Sequence, residues 1–175
     1  MKANRFLIEQ YDVNKTYYQQ KNFDCGNRVI NKFVHSSLKK QVANGFSQAY
    51  VLLNSENNGR FSAFYTLSSF KLIASDMLSL SSGSFPRDIP CARLIMLGVE
   101  NELQGQGIGK KLMADVFHRV HKAAKEIGIY GLYLDADLAA IDFYRTLGFV
   151  RLNEESESST AKMFLSMREI HAAIE

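Results

Sequence analysis

Little in this chain of 175 residues points to a membrane, an oxidising compartment or a metal. No run of eighteen apolar residues occurs, so no membrane-spanning helix is expected. Met1-Lys2-Ala3-Asn4-Arg5 leads into a short strand-like piece and lacks the apolar core of a signal peptide. The two cysteines, Cys25 and Cys91, form no CxxC and no ligand cluster. That pattern reads as reduced thiols of a cytoplasmic protein, with no metal site. The four histidines are scattered; His118 and His121 are helix neighbours with no carboxylate beside them in the pattern, and read as surface residues. Only two prolines are present, Pro86 and Pro90, both inside a serine-rich stretch from Ser75 to Pro90 that reads as a loop with one helical turn around Asp76-Met77-Leu78. The length suits one domain, residues 1–175.

Acidic residues are absent from Cys25 to Ser55, where Arg28, Lys32, Lys39 and Lys40 all fall. The segment carries +4 of a whole-chain +3, leaving the remainder at −1. Arg28, Lys32, His35 and Lys39 follow the spacing of one helix face. That stripe is either a solvated face or a surface for nucleic-acid backbone.

The apolar pattern gives an element order of β-α-α-β-β-β-α-β-α-β-β, an α/β domain with a mixed sheet. Phe6-Leu7-Ile8 is the first strand. Asp24 is placed as the N-cap of a helix of about ten residues with Val29, Ile30 and Phe33 inward. A second helical piece with Val34, Leu38 and Val42 ends at Asn44-Gly45. Strands 49–53 and 61–73 make a hairpin around Asn57-Asn58-Gly59. Ala92 to Val99 reads as a central strand, with Gly98 marking a bulge or a close backbone approach. Ile108, Leu112, Val116 and Val120, with Met113, Phe117 and Ile127, define an amphipathic helix of about twenty residues that stops at Gly128. Strand 130–134, a helix from Ala139 to Leu147 ending in Gly148, a strand start at Phe149-Val150, a polar turn from Glu154 to Thr160 and a terminal strand 163–167 complete the chain.

The densest signal is Gln104-Gly105-Gln106-Gly107-Ile108-Gly109, immediately before that long helix. Glycine permits positive φ and lets a ligand approach without a Cβ. A helix start adds unpaired N–H groups and the positive end of the macrodipole, which together suit a phosphate or pyrophosphate. A Walker loop is excluded: Gly105 and Gly109-Lys110 enclose three residues instead of four, and Lys111 follows where Ser or Thr is needed. A dinucleotide fingerprint is excluded because its last glycine would fall on Lys110 and no strand-end acid follows about twenty residues on.

The chain resembles the GNAT superfamily of N-acetyltransferases over nearly its whole length. The family motif Gln/Arg-x-x-Gly-x-Gly/Ala is matched by Gln104, Gly107 and Gly109, the preceding bulged strand by Leu97-Gly98-Val99, and the late tyrosine helix by Phe143-Tyr144-Arg145-Thr146-Leu147-Gly148-Phe149. The resemblance implies a mostly antiparallel mixed sheet of six to seven strands, flanked by helices, with a splayed cleft between two central parallel strands. It implies acetyl-CoA as the acetyl donor. Its diphosphate would lie on the amides of Gln104, Gly105, Gln106, Gly107, Ile108, Gly109 and Lys110, and its pantetheine along Leu97, Gly98 and Val99. Tyr144 is the candidate general acid for the departing thiolate. Glu100 is either a general base or a surface strand-end carboxylate.

A narrower resemblance is to the GNAT toxins of toxin–antitoxin pairs, carried by Phe23-Asp24-Cys25-Gly26, Phe33, Pro86, Pro90 and the terminal strand. It implies acetylation of the α-amine of aminoacyl-tRNA, with tRNA contacts at Arg28, Lys32, Lys39 and Lys40. A small ribbon-helix-helix antitoxin as partner and a homodimer are further implications. Met96 stands where that group usually has Arg. Acetylation of a small-molecule or protein amine, and a non-catalytic acetyl-CoA-binding module, remain the alternative readings.

Overall fold

The computed structural model describes residues 4–77, 84–153 and 159–175. The elements run β1 (Phe6–Gln10), α1 (Arg28–Ser36), α2 (Leu38–Ala43), β2 (Gln48–Asn54), β3 (Arg60–Ile73), β4 (Asp88–Val99), α3 (Ile108–Ala124), β5 (Gly131–Asp137), α4 (Ile141–Thr146), β6 (Val150–Arg151), β7 (Thr160–Ser166) and α5 (Met167–Ile174). Seven strands hydrogen-bond in the order β1-β2-β3-β4-β5-β7-β6. The β1–β2, β2–β3, β5–β7 and β6–β7 ladders are antiparallel and β4–β5 is parallel. The expected fold class is therefore found. The parallel ladder runs only from Cys91↔Gly131 to Leu94↔Leu134, while β4 continues to Val99.

Two compact units divide the chain: residues 1–68 with 95–114, and residues 69–94 with 115–175. In the first, Phe23, Phe61 and Phe64 are fully buried. Phe23 meets the other two rings edge-on at 5.4 and 5.6 Å, an arrangement favoured by the ring quadrupoles. Gly98 is required here by close packing: a Cβ would lie 3.0 Å from Ile30 Cγ2 and from Phe64 Cε1. In the second unit, Leu72, Met77, Ile89, Cys91, Tyr133 and Phe164 form one buried cluster. Val116, Phe117 and Val120 of α3 are also buried.

Several expectations are corrected. Asp24 does not cap α1. Asn27 does, its Oδ1 accepting from the N–H of Val29 and Ile30, while Asp24 Oδ1 accepts from Gly26 N–H and the Asn31 amide. Val29 points outward, 69% exposed, leaving Ile30, Phe33 and Val34 as the packed residues. The basic stripe is not one helix face. The backbone leaves helical geometry at Ser37, so Lys39 and Lys40 sit on α2 and Arg28, Lys32 and His35 on α1. β4 begins at Asp88, inside the expected loop, because Ile89 and Cys91 have an apolar cluster to enter. Leu78 and the acidic part of the Glu154–Thr160 turn lie outside the described residues. Ile127 is exposed, beyond the end of α3. Met167 does not close a strand: Ser166 Oγ accepts from Glu169 N–H and starts α5. Among the described residues, no helix is long and apolar enough to cross a membrane.

Gly131 is the most closely enclosed of the second unit's described glycines. A Cβ there would collide with the Phe164 ring and lie 2.5 Å from the Leu165 carbonyl oxygen. Backbone cannot yield as a side chain can, so Gly131→Ala is expected to lower unfolding free energy by about 1–3 kcal/mol, measured by denaturant titration.

Candidate active site

The glycine loop is built on a polar platform within the first unit. β4 ends at Val99, and Glu100 follows with only 6% of its surface exposed. The Arg60 Nε–H lies 2.9 and 3.2 Å from the two oxygens of that carboxylate. Burial pushes the Glu100 carboxyl above its ordinary range, and Arg60 partly offsets this. Glu100 N–H donates to Ser62 O, and Leu103 N–H donates back to Glu100 O. Glu100 is thus neither a surface acid nor a free base. It is a buried, paired carboxylate that anchors the turn before the loop. Arg60 was not legible as its partner, because forty positions separate the two and only the fold joins them.

Gln104 braces the loop from below. Its Nε2 donates to the carbonyls of Cys25 and Val99, both at 2.9 Å. The Val99 carbonyl therefore already accepts one bond. Gln106 Nε2 donates to Glu102 O at 2.9 Å. Leu103 and Ile108 are buried on either side and pin the ends. Between them Gly105 and Gly107 take φ of +75° and +79°, and nothing lies within 4 Å of where either Cβ would be. These glycines serve conformation, not packing.

The consequence is a row of free donors. Among the described residues, the main-chain N–H groups of Gly105 to Lys110 donate to no carbonyl or side chain of the chain. The first donation back into the chain is Lys111 N–H to Gly107 O at 3.1 Å. No acid occupies the first turn of α3. Lys110 is exposed, and Lys111 Nζ sits 5.7 Å from the centroid of the Phe6 ring. Left-handed glycines, open amides and a helix start together suit a diphosphate.

Tyr144 belongs to the second unit. It lies in α4, whose end is set by Gly148 at φ +97°. Its ring meets Phe143 at 5.1 Å and Phe149 at 5.6 Å, both edge-on. Burial, then the charge of Asp137, pushes the phenol up to about 12. The hydroxyl makes no hydrogen bond among the described residues. It keeps its proton throughout the physiological range.

The remaining candidates separate clearly. Met96 is half-buried against the first unit's core, its N–H donating to Thr66 Oγ1 at 3.1 Å. Arg93 belongs to the second unit, where Nη2 meets Asp135 at 2.9 Å and the guanidinium lies over Phe70. Cys25 Sγ lies 3.2 Å from Asn31 Oδ1, and burial raises the Cys91 thiol to about 11. Both cysteines are free. His121 is not isolated: its Nε2 lies 3.0 Å from His171 Nδ1 on α5. Among the described residues, no group of three or more His, Cys, Asp or Glu could hold a metal.

The model of the Acetyltransferase (GNAT) domain matches residues 15–168, and the chain belongs to this acetyltransferase family. A solved bacterial toxin is 39% identical, with a TM-score of 0.91 over 97% of this chain and 94% of that one. AtaT complexed with acetyl-methionyl-tRNAfMet is 28% identical, with a TM-score of 0.85 over 97% and 99% of the two chains. A Tyr-to-Phe variant of AtaT, bound to acetyl-CoA and the C-terminus of the antitoxin AtaR, gives 27% and 0.81 over 97% and 98%. In Sinorhizobium fredii, a protein described as "Probable toxin TacT" is 29% identical over 139 residues, 76% of this chain and 73% of that one.

Removing one partner of a buried ion pair strands the other. Arg60→Ala is expected to destabilise the protein by about 2–4 kcal/mol near neutral pH. The raised Glu100 carboxyl takes up a proton more readily folded than unfolded, so stability falls as pH rises through its titration. The Arg60→Ala deficit should therefore shrink as pH drops and the stranded carboxylate takes up a proton. Denaturant unfolding at three pH values measures both effects.

Proposed function

We propose that this chain is an acetyl-CoA-dependent N-acetyltransferase that acts as a toxin, transferring acetyl to the α-amine of aminoacyl-tRNA. The observation that carries the reading is the row of open amides from Gly105 to Lys110 above two left-handed glycines. A coenzyme A diphosphate offers the charge and the spaced oxygens that such a row requires. Among the solved relatives, AtaT carries acetyl-methionyl-tRNA in one complex, and acetyl-CoA with an antitoxin segment in another. Residues 1–175 act on this reading as one acetyltransferase domain of the cytoplasm, held in check by a small antitoxin of the ribbon-helix-helix kind.

The assignments follow the chemistry. Amides from Gly105 to Lys110 hold the diphosphate, while Gln104, whose own N–H donates to Asn101 O, serves through its side-chain brace instead of as a diphosphate donor. Backbone of Leu97, Gly98 and Val99 lines up the pantetheine as an added strand would. A neutral amine attacks the thioester carbonyl, and a carbon–sulfur bond breaks as a carbon–nitrogen bond forms. The sulfur gains a proton from the Tyr144 phenol, and the proton leaving the amine restores that phenol through solvent. A thiol titrates near 8.5, well below a phenol at about 12, so complete transfer to a free thiolate is uphill. Tyr144 must therefore act while the bond to sulfur is still breaking. Glu100 is committed to Arg60, which leaves deprotonation of the amine to water.

One observation favours a different amine: position 96 carries an apolar Met packed on the core instead of a cation. Labelled acetyl-CoA offered to a pool of charged tRNA, then to polyamines and basic peptides, decides between them. Label is expected in the tRNA fraction; label only in another amine overturns the toxin reading, and no thiol release at all overturns the enzyme. Tyr144→Phe should cut turnover on the order of 10²-fold while acetyl-CoA still binds. The wild-type rate should show no falling limb from the phenol below pH ~11.

A further inference from the structure

The first unit contains a groove of about 640 Å³ that the acetyl-transfer reading does not use. Lys15, Lys21, Lys39 and Lys40 line it, with Tyr11 and Tyr17 in its wall. The two tyrosines are stacked 4.8 Å apart and are buried. Their hydroxyls are already engaged: Tyr11 donates to Gln20 Oε1 at 3.2 Å, and Tyr17 accepts from Asp12 N–H at 2.8 Å. Gln20 in turn donates to Val34 O. The wall is thus preformed, and these groups are not free to read a base.

What is free is the charge. Lys15 is tied to Glu9 at 3.3 Å. Lys21, Lys39 and Lys40 have no ion-pair partner among the described residues, and no carboxylate lines the groove. Unpaired ammonium groups along a trough larger than one phosphate fit a polyanion with repeated charges. Lysine acts as a point charge, without the planar fork that reads one base edge. Arg28 and Lys32, which share the basic segment, do not line the groove.

We propose that this groove holds the phosphodiester backbone of the acceptor RNA and does so without regard to its sequence. The proposal rests on the reading that the acceptor is charged tRNA. It divides the basic segment in two: Lys39 and Lys40, with Lys21, form the docking surface, and Arg28 and Lys32 stand outside it.

The test compares two double variants of equal charge change, Lys39→Glu/Lys40→Glu and Arg28→Glu/Lys32→Glu. All four side chains are exposed, and matching melting temperatures confirm that both variants fold. The groove pair is expected to raise KM for several charged tRNAs tenfold or more and to reduce the salt dependence of binding by a slope of about 2, at about 0.9 per phosphate contact. It should leave kcat/KM for methionine amide unchanged. The outer pair should change KM for tRNA less than threefold. Equal losses in both pairs would reduce the effect to net charge and overturn the proposal. So would an unchanged KM in the groove pair, or binding of an acidic antitoxin peptide lost while tRNA binding stays. If the wild type acetylates methionine amide but no tRNA, the acceptor reading fails by itself. Filter binding of uncharged tRNA to the two variants then decides the groove separately.

Discussion

Six consecutive main-chain amides, Gly105 to Lys110, find no acceptor among the described residues, and much of the first unit serves to keep them so. Backbone donors are obligatory hydrogen-bonding groups, and nearly all buried ones are paired. A loop can leave a row of them open only at the surface, and only if it is stopped from folding back on itself. The stops here are specific. Gly105 and Gly107 hold a curvature that L side chains resist. Gln104 spends its amide on two carbonyls beneath the loop. Leu103 and Ile108 sink into the core at either end. The buried Arg60–Glu100 pair fixes the turn from which the loop springs.

The second unit, taken by itself, holds groups of a different character. Tyr144 is held by aromatic edges rather than by hydrogen bonds, and burial keeps its proton in place. On the acetyl transfer proposed above, that suits a donor needed for an instant during bond cleavage better than one that equilibrates with solvent. Tyr133 and Asp135, which bond each other at 2.9 Å, and Arg93, paired with the same carboxylate, make a separate polar cluster in this unit. Burial and the Asp135 carboxylate also push the Tyr133 phenol up.

Local chemistry was legible in the sequence wherever it was local. The glycine run before an i, i+4 apolar stripe announced the loop and α3, and Asn57-Asn58-Gly59 announced the β2–β3 hairpin. The strand at 88–91 was hidden because Asp88 and Pro90 look like loop residues, and only the cluster that receives Ile89 and Cys91 overrides them. The cap of α1 was misplaced because Asp24 and Asn27 are both good caps. The choice depended on where the chain turned at Gly26, at φ +82°. Arg60–Glu100 and His121–His171 join residues forty and fifty positions apart, and no periodicity encodes them.

The central claim, that the amides of residues 105–110 grip a diphosphate, is tested most directly by titrating labelled protein with acetyl-CoA and following backbone amide resonances. The account predicts that the Gly105 to Lys110 amides shift together, saturate with one affinity and become protected from hydrogen exchange, and that pantetheine lacking the diphosphate leaves them unmoved. Saturating acetyl-CoA that leaves those amides unshifted and exchanging freely would contradict it.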